Sequence, residues 1–271
     1  MLPRLRKVGY RVGIYILLVT LSLAFLMPFL WAFSTSLKKQ QAVFSYPPQL
    51  VPKEFHFENY VKAMSMYPWL TFFKNSVIIT FMGIIGTLLS SSLVAFGFAR
   101  LKFPGRDVLF SILLATMMVP YFTTLIPRYI LFRKLGWVNT LLPLWVPNFF
   151  GSPFFIFLLR QFFRGIPKEI DDAARIDGCT TFQVFYKIYL PLSKPALITV
   201  AILQFNAAWG DFFGPLIYLQ SQNKYTLTLG LNSFRGMYFT YWNYLCAATI
   251  LISIPSIISV SYTHLTLPTK A

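Results

Sequence analysis

Six apolar stretches, at about 12–34, 75–99, 108–131, 141–163, 195–219 and 243–262, constrain this chain more than any other feature of it. A helix needs about 20 residues to cross roughly 30 Å of hydrocarbon. Each stretch meets or nearly meets that length. Lipid cannot satisfy free backbone N–H and C=O groups, so each is expected to be helical. Composition agrees: 56% of the 271 residues are apolar and 12% are charged, against about 25% charged in a soluble domain. The mean hydropathy is +0.60. The expected fold class is an all-α membrane protein with six transmembrane helices.

The net charge of +16 does not point to nucleic acid. The cations sit in short links between apolar runs, where they anchor the chain to an anionic membrane surface. Arg4, Arg6, Lys7 and Arg11 precede the first run, which exceeds the apolar region of a cleaved signal peptide. It reads as an uncleaved span. Thirteen basic residues fall in 1–11, 100–107 and 160–194, and ten in the longer set 37–74, 128–139 and 220–242. By the positive-inside bias the N-terminus is cytoplasmic and the protein is a multi-pass component of the plasma (inner) membrane. The outer link 37–74, with SYPPQLVPKEFHFENY, favours extended backbone at its prolines and reads as a loop with short elements. The organisation is 1–70 for the N-terminal tail, first span and outer loop, 71–262 for the body with the remaining spans, and 263–271 for an atypical tail. The ending SYTHLTLPTKA has almost no basic flank; it reads as a short frayed cytoplasmic tail or, the favoured reading, as appended sequence in place of the native end.

Catalytic signatures are absent. There is no G-x-x-x-x-G-K-[ST] loop and no H-E-x-x-H. His56 and His264 lie far apart, Cys179 and Cys246 suit neither a disulfide nor a metal, and no Ser–His–acid set can be assembled. No catalytic or metal site is expected, and no cofactor bound by this chain.

Four of the eight carboxylates, Glu169, Asp171, Asp172 and Asp177, crowd into one short segment, EIDDAARIDGCTTFQVFYKIYLPLSKP. Pro167 suits a helix start, and Glu169, Asp171 and Asp172 meet the positive end of the macrodipole. Ala173 and Ala174 propagate the helix, and Gly178 ends it in a left-handed cap. Thr180 and Gln183 make a capping box for a second helix. Phe182, Phe185, Tyr186 and Tyr189 then form an apolar stripe at helical spacing, expected to lie against the membrane domain. Pro191 and Pro195 are expected to end that helix and open the next span.

The run D-A-A-R-I-D-G, nine residues, then I-Y-L-P resembles the EAA loop of ABC importer permeases, with Asp172, Ala173, Ala174, Gly178, Ile188, Leu190 and Pro191 in register and Asp172 replacing the usual Glu. LWAFSTSLKKQQAVFSYPPQLVPKEFHFENY, MMVPYFTTLIPRYILFRKLGWVNT and AAWGDFFGPLIYL are similar to the maltose-type carbohydrate branch of that family, with Gly210 where Asn is common. The likeness covers about 10–260 and fails at the last eleven residues. It implies a type I importer permease with a cytoplasmic coupling helix between spans 4 and 5. The implied partners are a second permease subunit, two ATP-binding subunits that use the ATP, and an extracellular substrate-binding protein. The implied cargo is a sugar or oligosaccharide; another polar solute, such as a glycerol phosphate or a polyamine, is the alternative within the class. A self-sufficient secondary transporter or channel is the alternative outside it, and a membrane enzyme has no residues to support it. The expected substrate pathway is Gln204, Asn206, Trp209 and Asp211 in the fifth span. The three polar groups can hydrogen-bond sugar hydroxyls beneath a stacking indole. They can equally bond neighbouring helices as structural glue.

Overall fold

The computed structural model describes residues 2–236 and 238–266, with side chains described for 10–236, 238–259 and 261. Eleven helices carry the argument: α1 (Leu2–Ser36), α2 (Glu58–Ser65), α3 (Trp69–Arg100), α4 (Arg106–Ala115), α5 (Leu125–Lys134), α6 (Pro153–Arg164), α7 (Glu169–Ile176), α8 (Thr181–Leu192), α9 (Lys194–Trp209), α10 (Phe213–Tyr218) and α11 (Trp242–Thr266). Single helical turns fill several of the links. Among the described residues there is no strand, only one isolated bridge, Arg235–Thr240.

The apolar stretches resolve into four candidate spans, Tyr10–Ser36, Trp69–Arg100, Leu142–Arg164 and Trp242–Ser259, and two bent pairs; the third of the four passes through a 3-10 turn and a non-helical step at Gly151 and Ser152 before α6. The third stretch, expected as one straight helix, breaks between Met118 and Tyr121 and turns by 96°. Pro120 explains the break, because its ring disfavours helical backbone at Val119, which is extended (ψ 116°). The fifth stretch is shorter than expected. Its helix α9 ends at Trp209, Gly210 caps it, and α10 starts anew at Phe213.

The chain forms two compact units. One comprises residues up to Pro68 together with Leu231–Ile254; the other comprises Trp69–Gly230 and the residues from Pro255 on. In the first, α1 exposes apolar side chains along most of its length, while its end, Ser34–Lys38, is buried. Buried Asn59 of α2 fixes that end by donating to the carbonyls of Ser36 and Lys38 at 2.8 and 2.9 Å. Asn243 of α11 donates in turn to Asn59 Oδ1 at 3.3 Å. The proline-rich link 37–74 is a loop with one short helix and one 3-10 turn, as its prolines predicted.

The second unit is built around α3. Its buried positions, Phe72, Asn75, Ser76, Ile79, Thr80, Gly83, Gly86, Thr87, Ser91 and Ala95, recur every three or four residues, one face of a helix. Several are small, which lets neighbouring backbones approach closely. Gly86 shows the effect: a Cβ there would meet the Phe149 ring at 2.5 Å. Ser90 seals the same contact, donating to the Asn148 carbonyl at 2.9 Å.

The candidate coupling segment and the fifth-span residues

The acidic segment folds as the sequence dictates locally. Glu169, Asp171 and Asp172 occupy the first turn of α7, where the helix dipole favours negative charge. At its end the Gly178 amide donates to Arg175 O at 3.1 Å and the Cys179 amide to Ala174 O at 2.9 Å. That bond pair is the Schellman arrangement, and it needs a left-handed residue. Gly178 supplies it at φ 79°. Thr180 then opens α8 with both halves of its capping box: its amide donates to Gln183 Oε1 at 2.7 Å, and Gln183 N donates to Thr180 Oγ1 at 3.3 Å.

The expected aromatic stripe is corrected by a π-helical turn. Residues Phe185–Tyr189 wind with Leu190 N bonded to Phe185 O, a wider turn than the α-helix. The wider turn shifts the register, so Val184, Phe185 and Tyr189 are buried while Phe182 and Tyr186 stay exposed. The helix ends at Leu192, one residue past Pro191, and turns by 77° into α9, which opens with Pro195 in its first turn as expected. A π turn just ahead of a proline suits a residue that cannot donate to the preceding turn.

Behind the segment lies a polar joint that sequence reasoning missed. The Tyr189 hydroxyl donates to Asp171 Oδ1 at 2.6 Å. Arg100, the last residue of α3, brings Nε to 3.7 Å from Asp171 Oδ2. Its Nη2 donates to Phe163 O at 2.9 Å and to Ile166 O. Its guanidinium lies over the Tyr189 ring at 4.9 Å. Phe96, Phe163 and Phe185 surround the joint, with Tyr189 centroids 5.0 Å from Phe96 and 5.5 Å from Phe163. The segment therefore has a buried root and an exposed face. Ala174 belongs to the root, and Ile188 and Leu190 are half-buried beside it; Asp172, Ala173, Gly178 and Pro191 are exposed. An isolated Arg closing a long apolar run was the one sequence signal for the joint.

The four fifth-span residues do not converge. Gln204 is buried toward α3, where Gly83 admits it: a Cβ on Gly83 would lie 3.2 Å from both Gln204 Nε2 and Asn148 Nδ2. Asn206 lies two residues on, about 200° around the helix. It donates to Ile202 O at 2.9 Å and accepts from Ser259 Oγ at 3.4 Å. Trp209 is buried, stacked on Phe205 at 5.4 Å and edge-on to Phe73 at 6.1 Å. Asp211 falls beyond the helix, in the break. Its Oδ1 accepts from Gly214 N at 3.1 Å and its carbonyl accepts from Thr228 Oγ1 at 2.6 Å, so it caps α10.

Residues 87–266, which contain the whole candidate coupling segment and both bent helix pairs, match the family described as binding-protein-dependent transport system inner membrane component. The chain belongs to this family. It is similar to a "Probable ABC transporter permease protein" of Pyrococcus horikoshii, 36% identical over 236 residues that cover 86% of each chain. It is similar to the arabinooligosaccharides transport system permease protein AraQ of Bacillus subtilis, 33% identical over 92% of this chain and 89% of that one. In fold it resembles a chain of a bacterial ABC transporter involved in import of the acidic polysaccharide alginate, with a TM-score of 0.84, 24% identity, and 95% and 96% of the two chains covered. The all-helical architecture with its bent spans is thus that of an ABC importer permease, a multi-pass membrane component of a binding-protein-dependent transport system.

Proposed function

We propose that this permease carries a sugar or oligosaccharide across the membrane, paired with a second permease and driven by two separate ATP-binding subunits, which hold all the hydrolytic chemistry. An extracellular binding protein delivers the cargo. The relatives named for arabinooligosaccharides and diacetylchitobiose support that substrate class. The charge bias of the links supports a cytoplasmic N-terminus. The permease body is assigned to 71–262. The coupling handle is Asp172, Ala173, Ala174, Gly178, Ile188, Leu190 and Pro191. One observation carries this reading: α7 presents an exposed face on a root locked into α3 through Arg100, Asp171 and Tyr189. A push on such a face moves α3 as a body instead of bending a loop.

The test is ATP-dependent uptake of labelled arabino- and chito-oligosaccharides by the reconstituted complex. Gly178→Pro removes the left-handed turn and Asp172→Lys reverses charge on the exposed face. Both are expected to abolish uptake with membrane insertion intact. Normal uptake by both variants refutes the handle. Uptake by the chain alone, without ATP-binding subunits, refutes the importer reading.

A further inference from the structure

Beside the coupling segment, the link between α3 and α4 forms a cavity of about 520 Å³ lined by Lys102, Phe103, Gly105, Arg106, Asp107, Val108 and Lys168. Arg160 and Arg164 of α6 add two cations to the cluster, since Arg106, Asp107 and Arg164 all act electrostatically on Arg160. Five cationic side chains and one carboxylate therefore cluster in and around the cavity, three of the cations, Arg106, Arg160 and Arg164, acting on Asp107. That carboxylate is already engaged: Arg106 Nε and Nη2 donate to Asp107 Oδ1 and Oδ2 at 3.1 and 3.4 Å. Arg160 reaches it only at 3.9 Å.

Arg160 is the unusual member. It is buried, its Nε donates to Phe98 O at 3.3 Å, and its guanidinium lies 3.8 Å from the Phe110 ring centroid. A buried guanidinium normally has a carboxylate or phosphate on its fork. Among the described residues none lies closer than Asp107, and none is in ion-pair range of Lys102, Arg164 or Lys168. The topological bias toward basic links accounts for Lys102 and Lys168, but not for a cation buried on the inner side of a helix. Apolar side chains lead out of the cavity along α4, with Val108, Leu109 and Ile112 more than half exposed. Val108 and Ile112 are one turn apart, a ladder of the kind an acyl chain covers.

We propose that this cavity is a binding site for an anionic phospholipid, its phosphodiester held by the lining cations Lys102, Arg106 and Lys168, with buried Arg160 adding positive charge behind them, and its acyl chain laid along α4. Charge selects the headgroup, and the apolar ladder selects a lipid over a soluble phosphate. Lys168 sits at the N-cap position of α7, with no capping bond from its side chain, so the site lies between the surrounding bilayer and the candidate coupling segment. The proposal needs only that this end of α3 lies at a membrane interface; it does not depend on the cargo or on the coupling role.

The experiment is native mass spectrometry of the intact transporter complex released from nanodiscs of phosphatidylcholine with or without phosphatidylglycerol. The wild type is expected to retain phosphatidylglycerol in preference to phosphatidylcholine. The variant K102Q/R106Q/K168Q changes exposed or half-exposed side chains and is expected to retain phosphatidylglycerol roughly a hundredfold less, at roughly fivefold per cation. Should the triple variant fail to assemble, Lys102→Gln alone is expected to show the fivefold step. Equal retention by wild type and variant overturns the proposal. So does displacement of the lipid by inorganic phosphate, which marks a soluble-anion site. Loss of the ATP-binding subunits from the variant with lipid retention unchanged also overturns it, marking a protein-docking surface.

Discussion

The joint beneath the coupling segment yields a quantitative prediction. Tyr189→Phe removes one hydroxyl from a fully buried ring and leaves its apolar contacts with Phe96 and Phe163 in place. The lost bond, 2.6 Å to a carboxylate, is short and charge-assisted. Bonds to charged groups contribute about 1.5–3 kcal/mol. The Asp171 side chain is 16% exposed, so water partly replaces the hydroxyl and the cost falls at the lower end, about 1.5 kcal/mol. Asp171→Ala costs more, about 3–5 kcal/mol, because it strands the Arg100 guanidinium, whose side chain is 5% exposed. Its two carbonyl partners and the Tyr189 ring hold that figure near 3 kcal/mol. Since Tyr189 and Asp171 share one bond, a double-mutant cycle is expected to give an interaction term of about 0.5–3 kcal/mol. The assay is denaturant unfolding of the purified complex, read beside oligosaccharide transported per ATP hydrolysed. In Tyr189→Phe the transport-to-hydrolysis ratio is expected to fall while basal hydrolysis continues. An additive cycle, or a ratio unchanged in a clearly destabilised variant, refutes the joint as a transmitter of motion.

Two further substitutions separate packing from chemistry. Gly86→Ala drives a methyl into the Phe149 ring at 2.5 Å and is expected to cost about 1–3 kcal/mol; Gly97→Ala meets nothing within 4 Å and is expected to stabilise by up to about 1 kcal/mol, so thermal unfolding should move in opposite directions for the pair. Asp211→Asn keeps an acceptor for Gly214 N and is expected to leave rate per complex and sugar specificity unchanged, whereas Asp211→Ala loses the α10 cap and lowers the yield of complex; altered specificity in Asp211→Asn would place that residue on the substrate path instead.

Features encoded by a few adjacent residues were legible in the sequence. The Gly178 turn and the Thr180–Gln183 box depend on neighbours within five positions, and both formed as the residue types require. The positions of the apolar spans followed from length and hydropathy alone. Continuity of those spans did not. Pro28 and Pro255 lie inside unbroken helices, while Pro120 marks a 96° break. A proline removes one hydrogen bond wherever it falls, and what surrounds it decides whether the helix bends or absorbs the loss. The π turn before Pro191 is such an absorption, and the aromatic spacing gave no warning of it. Contacts between distant residues were also hidden. Arg100 and Asp171 meet across two helices, and Asn139, at φ 60°, accepts the amides of Gln220 and Ser221 at 3.0 and 2.9 Å. Neither pairing has a period or a spacing to find.

The crowding of acid in α7 conceals a division between two adjacent carboxylates. Successive helical residues point about 100° apart. Asp171 turns inward to Tyr189 and Arg100, and Asp172 turns outward. A uniform acidic loop would need neither orientation. The inward carboxylate makes the root stiff, because moving it means separating a buried ion pair and a short hydrogen bond together. The outward one leaves charge on the face a partner can grip. Stiffness and grip are separate requirements for the proposed lever, and an eight-residue helix with these two carboxylates on neighbouring positions suits both. For that reason charge removal at 171 should loosen the lever in its socket, while charge removal at 172 should leave the socket intact and weaken only the hold upon it.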